Sequence, residues 1–137
     1  MTATRMDPEP EKTSPTEMDR LPAMTHYVLG LLRRPSNLPT ISPEEVERIQ
    51  EAHLAHLRHL SETGELIAVG PLEEDVDIRG ILIFSTPSVD RARELSEPDP
   101  ALIHGRLVLN LYTWFAPAGL RVGLAAVNPT DLDFQTD

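Results

Sequence analysis

Three histidines, His53, His56 and His59, recur at a spacing of three in one stretch of the chain. Imidazole is the side chain whose unperturbed pKa lies nearest neutrality, so such residues are the first candidates for moving protons. At 100° per residue, Val46, Ile49, His53, Leu57 and Leu60 share one helical stripe, with His53 near its middle. Arg48, Glu51, Ala55 and Arg58 fall opposite, His56 falls on the shoulder of the apolar face, and His59 lies further round towards solvent. His53 has two readings: a core imidazole hydrogen-bonded to a backbone carbonyl, or a general acid or base in a cleft between helix and sheet. Metal binding is a third use of grouped histidines. However, His53 and His59 diverge by about a third of a turn at 3.6 residues per turn. No carboxylate on that face completes a ligand set, so no metal is expected.

Asp99 is the second candidate. It sits between two prolines in Glu97-Pro98-Asp99-Pro100, where the following proline holds its backbone extended. An aspartate beside proline is commonly a turn residue. It is also a carboxylate that could orient an imidazole and stabilise its protonated form, if the fold brings the two together.

The elements that would position these residues are legible from periodicity and caps. Tyr27–Leu32 is apolar on both faces and reads as a central strand. Ser42-Pro43-Glu44-Glu45 is a helix start, with Ser42 at the N-cap, Pro43 at N1 and Glu45 completing a capping box. That helix runs to about Thr63, where Gly64 supplies a left-handed terminator. Glu65–Val69 is a second strand ended by Gly70-Pro71, and the acidic stretch Glu73–Asp77 leads into a third, Gly80–Phe84. Thr86-Pro87 reads as the N-cap and N1 of a second helix that stops before Pro98. Arg106–Phe115 is a fourth strand, with Leu107, Leu109 and Leu111 on one face and Val108, Tyr112 and Trp114 on the other.

The order is β-α-β-β-α-β, an α+β, ferredoxin-like arrangement. Both helices then pack on one sheet face, so the end of the second can approach the middle of the first and bring Asp99 to His53. The other face is apolar too and calls for a partner, most simply a second copy of the chain.

Length allows one domain in the 137 residues, expected over 23–117. Residues 1–22 are polar, charged and proline-containing, with too little apolar surface to offset ordering entropy. They read as a disordered arm that can be removed without loss of folding. Residues 118–137 form an extension, with Arg121–Val127 able to make a short fifth strand before an acidic tail. A formal charge of -10 has the wrong sign for nucleic acid or anionic lipid. No apolar run would span a bilayer and no apolar leader opens the chain, so a cytoplasmic protein with no membrane contact is expected. Cysteine is absent, which excludes disulfides and thiolate metal sites. Gly64, Gly70 and Gly80 are too dispersed for a phosphate-binding loop, and no cofactor is expected.

His53-Leu54-Ala55-His56-Leu57 with Leu60 and Gly64, then Gly70-Pro71-Leu72, Gly80, Ala92-Arg93 and Asp99-Pro100 resembles the YCII-related domain family over roughly Met24–Phe115. The order and spacing of these short motifs carry the resemblance. It implies a dimeric α/β barrel built from ferredoxin-like units, with a histidine–aspartate active site that maps onto His53 and Asp99. His56 falls where the family often has an aromatic residue. The chain departs from the family in its N-terminal arm and in the extension past Trp114.

Together these lead to an expected enzyme moving protons on a small cyclic or aromatic compound by lyase or isomerase chemistry. His53 is the acid/base and Asp99 its orienting carboxylate, beside a pocket lined by Tyr27, Gly70 and Pro71. The alternative is a non-catalytic small-ligand-binding or accessory protein on the same dimeric scaffold.

Overall fold

Apolar residues on both faces of the first strand force it to the middle of a sheet, and the chain is arranged around that requirement. A computed structural model describes residues 23–121. Seven elements follow one another: β1 (Met24–Arg33), α1 (Pro43–Glu62), β2 (Leu66–Pro71), β3 (Ile78–Phe84), α2 (Val89–Ser96), α3 (Pro100–Ile103) and β4 (Val108–Pro117). The strands form one antiparallel sheet in the order β2-β3-β1-β4. This is the ferredoxin-like β-α-β-β-α-β order, with the single turn α3 added between α2 and β4. The expected arm, residues 1–22, lies outside the described residues, as does the extension from residue 122 onward, which carries all but Arg121 of the expected fifth strand.

Register divides the strands into two faces. Val28 pairs with Phe84, and Gly30 with Leu82 and Leu111, so these side chains share the helix-covered face. Val28, Leu32, Leu82 and Phe84 meet Ile49, Leu57 and Leu60 of α1 and Ala92 of α2 in the main core, with Leu109 and Leu111 packed against it. On the opposite face Tyr27, Ile67, Ile83 and Ala116 form a second cluster. Val108, Tyr112 and Trp114 stand on that second face and are exposed.

Helix ends follow local chemistry. Ser42 Oγ accepts the Glu45 N–H at 3.1 Å, which is half of the expected capping box; the Glu45 carboxylate pairs with Arg48. At the other end Gly64 has φ +86°. Its N–H reaches the Ser61 carbonyl and that of Glu65 reaches Leu60, a Schellman ending that needs a left-handed residue. Gly105, at φ +70°, ends α3 the same way, with the Arg106 N–H on the Ala101 carbonyl.

The strands run longer than expected, β1 from Met24, β2 through Gly70-Pro71, β3 from Ile78 and β4 to Pro117, and two other boundaries are moved by local hydrogen bonds. The N-cap of α2 is Ser88, whose hydroxyl accepts the Arg91 N–H, whereas Thr86 Oγ1 accepts from Ser88 in a turn one step earlier. Strand β4 starts at Val108, because the N–H groups of Arg106 and Leu107 both go to Ala101 and close α3.

Candidate functional site

The helix α1 presents Ile49, His53, Leu57 and Leu60 as its buried residues, which places the imidazole at the centre of the stripe that meets the sheet. The short helix α3 supplies the carboxylate. Asp99 is its N-cap, with φ -66° and ψ 117°, and Pro100 follows as the first helical residue. Proline there keeps Asp99 extended and sacrifices no helical N–H, because the first donors of a helix have no partner anyway. Asp99 Oδ1 accepts the Ala101 N–H at 2.9 Å. That bond fixes the carboxylate plane before any contact with the histidine is counted.

Across the gap between the helices, His53 Nδ1 lies 2.9 Å from Asp99 Oδ1 and 2.8 Å from Oδ2. His53 is 0 % exposed and Asp99 2 %. An acceptor pair on Nδ1 requires a proton there, so the neutral imidazole is held as the tautomer with its lone pair on Nε2. A carboxylate behind a histidine both sets the ring orientation and stabilises the imidazolium formed when Nε2 takes a proton. This geometry can run general acid/base chemistry at Nε2. The sequence brought these two residues together only through the order of its elements and the family resemblance.

The remaining expected site residues are placed elsewhere. Tyr27 lies on the opposite face of the sheet from the helices, where its hydroxyl donates to the Pro117 carbonyl at 3.0 Å and its ring stands 6.0 Å from that of Trp114. Gly70 pairs with Ile81 at the β2–β3 edge, and a side chain there would meet nothing within 4 Å. Pro71 pairs with Gly80 one step further on. Tyr27 and Gly70 thus stand on the sheet face opposite the helices, with Pro71 beside them at the β2 edge. Strand alternation puts Tyr27 and the helical His53 on different sides of the sheet, a consequence of register that a list of motif residues does not show.

A cavity of about 400 Å³ opens between α2, α3 and β4, lined among others by Leu107, Leu109, Leu111 and Arg93. Its wall includes Ser96 and Leu102, which bracket Asp99 in the chain. The signal for it in the sequence was the Asp99-Pro100 pair. Like Ser42-Pro43, it has the pattern of a cap followed by N1 and so marks a helix start rather than only a turn.

His56, one turn along α1 from His53, hydrogen-bonds the Leu95 backbone of α2. Burial lowers its pKa below the usual 6.5, against the opposite pull of the Asp99 charge and the Leu95 carbonyl; any charge on His53 or His59 adds to the lowering. The unfolded chain therefore binds this proton more readily than the folded one. The stabilising contribution of the neutral ring is complete above about pH 6.5 and is lost as pH falls through the depressed folded value. Wild type should lose more melting temperature than His56→Gln on acidification from about pH 7.5 to about pH 5. Equal slopes for the two proteins would show that His56 is not held neutral.

His59 is exposed, and among the described residues no group of three His, Cys, Asp or Glu side chains is placed to hold a metal ion. No described helix is long and apolar enough to cross a membrane.

A family model for the YCII-related domain matches residues 25–110. No curated protein matches the chain. Among solved structures, a 5-chloro-2-hydroxyhydroquinone dehydrochlorinase from Burkholderia phenoliruptrix AC1100, in complex with 2,5-dihydroxybenzoquinone, is similar at 23 % identity and a TM-score of 0.45. The match covers 66 % of this chain and 93 % of that one.

Proposed function

The chain belongs to the YCII-related domain family, and from that premise we propose that it is a small-molecule enzyme whose acid/base pair is His53 and Asp99. The observation that carries this reading is the contact of His53 Nδ1 with both oxygens of Asp99, at 2.9 and 2.8 Å. Asp99 holds the proton on Nδ1, leaving Nε2 to remove a proton from a carbon or hydroxyl of the substrate. The imidazolium so formed is stabilised by the carboxylate and returns its proton to the leaving group or to another substrate atom. Elimination and isomerisation both close on that single proton transfer and return. The reading is therefore a lyase or isomerase acting on a small cyclic or aromatic compound and needing no cofactor.

The ligand would enter the cavity beside Ser96 and Leu102, whose apolar lining of Leu107, Leu109 and Leu111 suits a flat hydrocarbon ring. A homodimer is part of the same proposal: Ile81, Val108, Tyr112 and Trp114 leave an apolar strip exposed on the sheet face that carries no helix.

One observation favours the second reading, a non-catalytic binding protein. In the single chain His53 and Asp99 are 0 % and 2 % exposed, so a substrate has to displace part of the wall to reach Nε2. A thermal-shift screen of small carbonyl and quinol compounds, run in parallel on wild type and His53→Gln, separates the two. The enzyme reading expects ligands that stabilise both proteins but are turned over only by wild type. Ligands left chemically unchanged by both would make this a binding protein.

A further inference from the structure

The cavity between α2, α3 and β4 has three polar side chains in its lining, Arg93, Ser96 and Glu97, set against leucine, isoleucine and valine side chains. Their hydrogen-bonding capacities are already sorted. Ser96 is buried, and its hydroxyl donates to the Ala92 carbonyl at 2.8 Å. A hydroxyl has a single proton, so Ser96 meets anything in the cavity only as an acceptor. The Glu97 carboxylate likewise offers acceptors alone.

Arg93 is the opposite case, because a guanidinium only donates and does so with a positive charge. Among the described residues its partner is Asp90, one turn back on α2, which it reaches through Nη1 at 3.3 Å. The two side chains are 59 % and 95 % exposed. A pair so open to water is weak and exchanges readily for another anion. The chain as a whole carries a formal charge of -10, so its general field does not draw anions in. Any preference for an anion in this cavity therefore comes from Arg93 itself.

We propose that the cavity takes a small ring compound with one anionic group, a carboxylate or phenolate held by Arg93, and a hydroxyl that donates to Ser96 or Glu97. This rests on the reading that the ligand enters this cavity, and it adds the charge and the donor that the reading leaves open. The apolar lining takes the ring, and a volume of about 400 Å³ suits a compact ligand. A second anionic group would lie against Glu97, so the site selects a monoanion over a dianion. A bare inorganic anion gains nothing from the leucine side chains, and a neutral ring gains nothing from the charge of Arg93. A charge-assisted bond to a guanidinium still half in water is worth about tenfold in affinity.

Amide NMR titrations of the full chain with meta-hydroxybenzoate, and with its neutral and nearly isosteric amide, test this at equilibrium. Both compounds should shift the amide resonances of Ser96, Leu102 and Leu109, and the carboxylate should bind about tenfold more tightly. Benzoate, which lacks the hydroxyl, should bind severalfold more weakly than meta-hydroxybenzoate. Arg93→Gln should erase the preference for the carboxylate and leave the affinity for the amide unchanged, whereas Arg93→Lys should retain part of the preference. The exposure of Arg93 means that both variants should melt with wild type. Equal affinity for acid and amide, an acid preference that survives Arg93→Gln, benzoate binding as tightly as its hydroxylated relative, or shifts confined to other parts of the chain would each overturn the proposal. Binding needs no proton transfer, so the same titrations separate this from the enzyme reading. A preference for the acid in a protein that turns nothing over upholds the ligand class and removes the enzyme. Turnover without that preference removes the ligand class and leaves the His53–Asp99 pair in place.

Discussion

Asp99→Asn is expected to lower turnover by about 10³- to 10⁴-fold while the protein stays folded, whereas Asp99→Ala should cripple both. The difference follows from the two tasks of the carboxylate. Oδ1 accepts the Ala101 N–H and so caps α3, and both oxygens face His53 Nδ1. The single asparagine oxygen can still accept from the Ala101 N–H and the His53 Nδ1–H, but the amide NH2 replaces the second acceptor and an uncharged amide cannot stabilise the imidazolium. Alanine removes the cap, which is worth about 1 kcal/mol. It also removes the acceptor of the buried Nδ1–H of the neutral His53 ring, a loss of about 1–3 kcal/mol. In a domain of this size each kcal/mol moves the melting temperature by about 4–8 °C. Melting curves and turnover of the two variants, measured side by side, decide the role of the pair. If Asp99→Asn retained full turnover on a substrate found in the ligand screen, the pair would be a structural pin between α1 and α3 and not an acid/base device.

The second large effect concerns assembly. Tyr112→Glu/Trp114→Glu should convert the proposed dimer into a folded monomer. Both side chains already stand exposed on the edge strand β4, so the substitutions leave the main core untouched. In a dimer of standard size, burying at least about 1,000 Å² in total, the same carboxylates would be desolvated without partners. A penalty of about 3 kcal/mol or more weakens association by about a hundredfold or more. Sedimentation of wild type and variant at micromolar concentration reads the result. A wild-type chain that sediments as a monomer would remove the dimer from the proposal altogether.

How much of this was legible beforehand depends on the range of each signal. Local signals carried far: Ser42-Pro43 and Gly64 marked both ends of α1, because caps and left-handed terminators are decided within a few residues. The helical period placed His53 on the buried stripe, and two-sided apolarity placed β1 in the interior of the sheet. The Asp99-Pro100 pair carried a cap signal for α3 that a turn reading of the same residues hides.

What the amino-acid sequence determined by itself, then, is the kind, order and hydrophobic face of the four strands and of α1 and α2, since these rest on interactions within a few positions of one another. The tertiary structure alone decided which distant groups meet. It set His53 Nδ1 against both oxygens of Asp99, 46 positions away. It sent Tyr27 to the far side of the sheet, and it opened a cavity between α2, α3 and β4. Those outcomes depend on strand register and helix packing, where a shift of one residue exchanges the two faces of a strand, and that register is fixed only when the whole sheet closes around its core.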